Sequence, residues 1–220
     1  MPTTENMKSD RLGDIAAGKE PLPKVVPCFT PGTVIATPSG EKPVEDLDVG
    51  DRVLTRDNGL QEIRWIGSSR LTAQDLKSSP DLRPVLIRSG ALEHGLPEAD
   101  ILVSPWHNVL IQSASTHAFF DENEVLAAAA DLTGIDGVDV AEVAEVTYIH
   151  FMFDRHEVVL SNGFWSESLR PDDAVMASMG QSQRQEIFSL FPELRDVEGR
   201  KAYQSARRAL TRNECRLLTK

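Results

Sequence analysis

A lone cysteine opens the stretch that most constrains this chain: Cys28-Phe29-Thr30-Pro31-Gly32-Thr33, then Val34-Ile35-Ala36-Thr37. Pro31-Gly32 is a turn signal, and the run after it reads as a strand. Short runs rich in Val, Ile, Leu and aromatics recur over 33–37, 52–55, 61–68, 85–88, 101–103, 109–112, 146–153 and 158–160. Between them stand Pro38-Ser39-Gly40, Asp57-Asn58-Gly59 and Ser161-Asn162-Gly163. Many short strands with regular turns predict a barrel or sandwich. Asn58-Gly59 predicts a two-residue type I′ hairpin, and Asn162-Gly163 reads as a further turn. After Arg170-Pro171 the period changes, and helices are expected over 182–190 and 197–218. The second would carry Tyr203, Ala206, Leu210 and Leu217 on one face.

The segment downstream of Cys28 reads Val44-Glu45-Asp46-Leu47-Asp48-Val49-Gly50-Asp51-Arg52-Val53. Joined to an upstream cysteine at this spacing, it resembles the Hint family, the autoprocessing domain shared by Hedgehog proteins and inteins. The run from Phe153 to Leu169 is similar to the closing strands of bacterial Hint-type domains, notably a subgroup found in Alphaproteobacteria. The resemblance spans about 28–169 and implies an all-β, strongly curved fold with pseudo-two-fold symmetry. Residues 1–27 would then be an extended or disordered leader, and residues 170–220 a basic helical tail. An internal echo agrees with the symmetry: Val44-Glu45-Asp46-Leu47 and Ala129-Ala130-Asp131-Leu132.

The resemblance also implies a chemistry. Cys28 would attack the carbonyl of Pro27 in an N-to-S acyl shift, and water, a thiol or an amine would then cleave the thioester. A thiol suits this task because its thiolate is a strong nucleophile. Expelling the amine requires a proton donor at the departing nitrogen and a donor near the oxyanion. Family members carry Thr-x-x-His facing the scissile bond, and here the motif is Ser104-Pro105-Trp106-His107. His107 is expected to protonate the leaving nitrogen, and Ser104 to hydrogen-bond the scissile peptide or the oxyanion. Asp154 and His156, two apart, would share a strand face, one orienting the other. A surface ion pair with Arg155 nearby is the alternative for them. His150, beside Phe151, reads as structural, and His94 and His117 receive no role.

Composition sets the remaining bounds. The net charge of −11 over 220 residues argues against broad nucleic-acid binding by the main body. Seven basic residues against two acidic ones make residues 197–220 a +5 segment. Two cysteines make no disulfide framework, and a Cys28–Cys215 bridge would tie up the thiol. No Cys-x-x-Cys or paired-His spacing suggests a metal, and no cofactor is expected. The acid-rich stretch 121–145 lacks the calcium-loop spacing and reads as a solvated loop. No secretory signal or membrane-length apolar run is visible, so a cytoplasmic protein is expected.

Two departures from the family shape the functional expectation. Inteins end in His-Asn before the downstream segment, whereas this chain has Ser161-Asn162-Gly163, so full splicing is not expected. Pro27 fixes φ and crowds the carbonyl that Cys28 must reach. The expected activity is single-turnover self-cleavage with the chain's own N-terminal segment as substrate and an unidentified acceptor. The alternative is a Hint fold that no longer cleaves and serves as a binding or structural module.

Overall fold

The computed structural model describes residues 26–218. The expected leader therefore lies outside the described residues, apart from Val26 and Pro27. In chain order the elements are β1 (Val34–Thr37), β2 (Gly40–Pro43), β3 (Arg52–Thr55), β4 (Gly59–Glu62) and β5 (Trp65–Leu71). Next come α1 (Ala73–Ser78), β6 (Val85–Ile87), β7 (Ile101–Val103), β8 (Asn108–Ile111), α2 (Ala114–Phe120), β9 (Val125–Ala128) and β10 (Val138–Val140). The chain closes with β11 (Val146–Met152), β12 (Val158–Ser161), β13 (Phe164–Glu167), α3 (Asp173–Ser178), α4 (Gln181–Leu190), α5 (Val197–Ala202), β14 (Arg208–Ala209) and α6 (Arg212–Leu218).

The all-β expectation holds for the body. A nine-stranded sheet runs β14-β9-β8-β13-β12-β1-β2, with β3 on β12 and β4 on β3. Two smaller units, β10-β6-β7 and the long β11-β5 pair, complete it. The internal echo has a physical counterpart, because both copies form a short 3-10 turn directly after a strand, Val44–Asp46 after β2 and Ala129–Leu132 after β9.

Two turns exchange the roles read from sequence. Between β3 and β4, Thr55 pairs with Gly59, leaving a three-residue loop rather than the expected type I′ turn. Gly59 sits at φ 64, and the Asn58 side chain is drawn onto the buried Glu157 carboxylate. The two-residue turn lies instead at Asn162-Gly163, between the paired Ser161 and Phe164. Its central residues have φ of 46 and 76, as a type I′ turn requires.

Two apolar cores result. One lies among the sheets and includes Ile35, Val53, Ile63, Val85, Val103, Val109, Phe151 and Phe164. The other holds Val26 and Cys28 with Trp65, Leu71, Tyr148 and Met152. That second core is finished by Val175, Met176, Met179, Ile187, Phe191 and Leu194 from the C-terminal segment. Each such fully buried aliphatic side chain contributes about 1.5–3 kcal/mol relative to exposure.

The expected single helix over 197–218 is corrected. Helix α5 stops at Ala202, and the chain then leaves the helix and bends at Ala206-Arg207 into β14, which pairs parallel with β9. Tertiary contacts override the helical period here. The Tyr203 hydroxyl donates to the Phe153 carbonyl, and the Arg207 guanidinium binds Asp57 and Glu124. Arg208 and Arg212 meet Glu214 and Asp131, so much of the tail's basic charge is answered by acids of the same chain. The 121–145 stretch is likewise no plain loop: it holds β9 and β10, with Val125, Leu126, Ala127 and Val138 buried. Among the described residues, no helix is long and apolar enough to cross a membrane.

Gly199 marks where α5 touches the turn before it. A Cβ there would lie 1.9 Å from the Glu193 carbonyl oxygen. Gly199→Ala is expected to destabilise the fold by about 2 kcal/mol, lowering Tm by roughly 5 °C, because backbone must give way. Calorimetry showing an unchanged Tm would place α5 elsewhere.

Candidate active site

Cys28 enters the fold between two strands. The Phe29 N–H donates to the Ile149 carbonyl at 2.7 Å, and the Ile149 N–H returns the bond at 2.9 Å. On the other side the Ser104 N–H donates to the Cys28 carbonyl at 2.9 Å, and Phe29 bridges to Val103. The peptide before Cys28 is thus held between the end of β7 and the middle of β11.

The amide of Cys28 donates to Ser104 Oγ at 2.9 Å, and the Ser104 hydroxyl donates to the Val26 carbonyl at 2.9 Å. Ser104 therefore sits on the leaving nitrogen of the Pro27–Cys28 bond. The Cys28 thiol lies 3.3 Å from the Val26 carbonyl oxygen and 3.3 Å from His150 Nδ1. Cys28 is only 1% exposed, and burial pushes its thiol pKa far up; the Ser104 contact opposes this and the Glu167 charge adds to it. The resting sulfur is a neutral thiol.

His150, which the sequence reads as structural, lies at the thiol. Strand alternation on β11 holds the signal for it: Tyr148 and Met152 belong to the Cys28 core, whereas Ile149 and Phe151 belong to the other. His150, between them in register, faces the thiol. Its ring stacks on Trp65 at 5.3 Å, and burial lowers its pKa to about 4, so it stands neutral near pH 7. Gly67, its partner across the sheet, makes room, since a Cβ there would lie 2.5 Å from the Trp65 ring.

His107 closes a turn with Ser104, its N–H donating to the Ser104 carbonyl at 3.0 Å. Its buried ring packs edge-on against Phe29 at 4.4 Å between centroids, and neither ring nitrogen has a hydrogen-bond partner. Burial lowers its pKa to about 4, with the Glu167 carboxylate acting in the opposite sense. Ser104, rather than His107, makes the hydrogen bond to the Cys28 amide.

The expected Asp154–His156 pair is corrected. Strand β11 ends at Met152 and β12 begins at Val158, so these residues lie in a turn where the two-residue face rule does not apply. Asp154 is 65% exposed and pairs with Arg64. His156 is buried. Its Nδ1 accepts from the Ala206 N–H at 3.0 Å, and its Nε2 lies 3.3 Å from Glu167 Oε2. The carboxylate beside His156 is therefore Glu167, which also accepts from the Asn108 N–H and side-chain amide through Oε1. Cys28 and Cys215 are both free thiols.

The two depressed histidines make stability depend on pH. Both are neutral when folded down to about pH 4, whereas an unfolded imidazole titrates near 6.5. Between those values the unfolded chain binds more protons, so stability falls as pH falls. From pH 7 to pH 5 the expected loss is on the order of 2 kcal/mol per histidine. Urea unfolding of a Cys28→Ala background should show it, and adding His150→Phe should halve the difference. An equal difference with and without His150 would contradict the neutral buried imidazole.

Comparison with known proteins follows this geometry. A family model described as Hint domain matches residues 27–173, a span that includes Cys28, Ser104, His107, His150, His156 and Glu167. Among solved structures the chain is similar to the gp41-1 intein, at 15% identity over 64% of this chain and 97% of that one, TM-score 0.39. It is similar to the MchDnaB-1 intein at 12% identity over 64% and 98%, TM-score 0.42. It is also similar to a bacterial intein-like domain from Clostridium thermocellum at 13% identity over 64% and 97%, TM-score 0.42. No curated protein matches. With the family model covering well over half of its length, the chain belongs to the Hint family of autoprocessing domains.

Proposed function

We propose that the chain cleaves itself at Pro27–Cys28 by an N-to-S acyl shift, followed by cleavage of the thioester by water, a thiol or an amine. One observation carries the reading. The amide nitrogen of that bond rests 2.9 Å from a serine hydroxyl while the thiol of the same residue rests 3.3 Å from a neutral imidazole.

The step balances within these groups. The Cys28 Sγ bonds to the Pro27 carbonyl carbon as its proton passes to His150 Nδ1. The carbonyl π pair moves to oxygen. On collapse the carbon–nitrogen bond breaks, and the proton that His150 took from sulfur passes on to the nitrogen of the same cysteine, whose N–H stays hydrogen-bonded to the Ser104 Oγ. The net change moves one proton from sulfur to nitrogen and leaves a thioester and a free amine. His107 acts one layer back, in the turn that carries Ser104. Burial makes separated charges costly, so proton transfer concerted with attack avoids a lasting thiolate.

Splicing is left out of the reading. The Asn162 side chain accepts from the Val34 N–H and donates to the Asp100 carbonyl, so both its oxygen and its nitrogen are engaged in holding the turn. The deep burial of Cys28 favours one second reading, a Hint fold that binds without cleaving.

Intact-mass measurement of the full chain with added thiol tests the proposal. A fragment beginning at Cys28 should accumulate, vanish in Cys28→Ala, and slow by about 100-fold or more in His150→Ala and Ser104→Ala, the range for losing an acid–base group. An intact wild-type chain would select the non-cleaving module. Wild-type rates in His150→Ala would remove the imidazole from the mechanism.

A further inference from the structure

Glu167 is a buried carboxylate, its side chain 4% exposed. Among the described residues, its polar partners are the Asn108 N–H, the Asn108 side-chain amide and His156 Nε2. Burying a carboxylate carries a desolvation cost that its contacts must offset. Its position suggests what it does. Asn108 directly follows His107, and the His107 N–H closes the turn onto the Ser104 carbonyl. Ser104 in turn holds the Cys28 amide.

We propose that Glu167 and His156 are a positioning pair that fixes the Ser104–His107 turn against the Cys28 amide, and that the C-terminal segment completes the pair through Ala206. The inference rests on the self-cleavage reading and adds to it the coupling of the site to the tail. Each link is a hydrogen bond except the 3.3 Å approach of His156 Nε2 to Glu167, which lacks hydrogen-bond geometry. The Ala206 N–H donates to His156 Nδ1. With Nδ1 serving as acceptor, Nε2 is the ring nitrogen left to face Glu167; it lies 3.3 Å from Oε2, a close approach without hydrogen-bond geometry. Glu167 Oε1 then clamps Asn108 by two donors at 2.9 and 2.7 Å. Ala206 belongs to the stretch that departs from helix, and its neighbour Arg207 is pinned by Asp57 and Glu124. The departure from helix is thus explained by what the Ala206 amide must reach. The Glu167 charge is also felt at the site itself, opposing the effect of burial on His107 and reinforcing it on the Cys28 thiol.

Three variants of the full chain test this: Glu167→Ala, Glu167→Gln and Ala206→Pro. Gln keeps an oxygen for Asn108, whereas Pro removes the donor to His156. Thiol-induced cleavage should slow at least tenfold in Glu167→Ala and recover to within about threefold of wild type in Glu167→Gln, the rescue expected of a hydrogen-bonding role. Ala206→Pro should slow cleavage several-fold. Nitrogen-15 spectra of the same variants in a Cys28→Ala background give a readout independent of cleavage. The Ser104 and Asn108 amide signals should shift together in Glu167→Ala and stay in place in Glu167→Gln. If the wild type does not cleave, the self-cleavage reading fails, and these spectra alone decide the positioning role. If Glu167→Ala does not fold, Ala206→Pro decides, through its rate and through the His156 ring signals. Wild-type cleavage in a folded Glu167→Ala, a Gln variant no better than Ala, or a Ser104 signal indifferent to position 167 would each overturn the inference.

Discussion

The site depends on one short piece of backbone pairing. Phe29 lends both its N–H and its carbonyl to Ile149 of β11, and the residue before it lends its carbonyl to Ser104 at the end of β7. Three such bonds contribute only about 0.5–1.5 kcal/mol each in net terms, yet they fix where the Pro27–Cys28 peptide lies. Strand β7 then delivers Ser104 to the nitrogen, and β11 delivers His150 to the sulfur. Ring packing of Phe29 against Phe151 and His107 backs the same backbone from inside the core.

Burial governs the chemistry that this placement allows. A thiol and an imidazole taken out of water both favour their neutral forms, which keeps the site uncharged at rest. His150 stands neutral at rest, and its Nδ1 lies 3.3 Å from the thiol, within reach of the proton that the proposed acyl shift must move. The buried Glu167 supplies an anion near the site, tied to β8 on one oxygen and facing His156 with the other. The C-terminal segment is part of this arrangement, since Ile187 and Leu194 share a core with Cys28 and Ala206 reaches His156.

Much of the body was legible in the sequence because the signals there are local. The runs at 52–55 and 101–103 coincide with β3 and β7, and Ser104-x-x-His107 does form one closed turn. Elsewhere tertiary contacts decided. Asp154 and His156 look paired by spacing but sit in a turn, and the carboxylate facing His156 comes from β13, eleven residues on. His150 was hidden by its apolar company, although the alternation of Tyr148 and Met152 points it at the thiol. The 197–218 helical period gave way because Arg207 had carboxylates to meet and β9 had an edge to pair.

The most direct test of the account is to trap the thioester. The full chain incubated with hydroxylamine at neutral pH should release a segment ending in a Pro27 hydroxamate, and the Cys28→Ala chain should release none. Peptide mass spectrometry identifies the modified residue. A hydroxamate at Pro27 would place the acyl group on the Cys28 sulfur, as the contacts of Ser104 and His150 require. Its absence from the wild type, or its appearance in Cys28→Ala, would contradict the central claim.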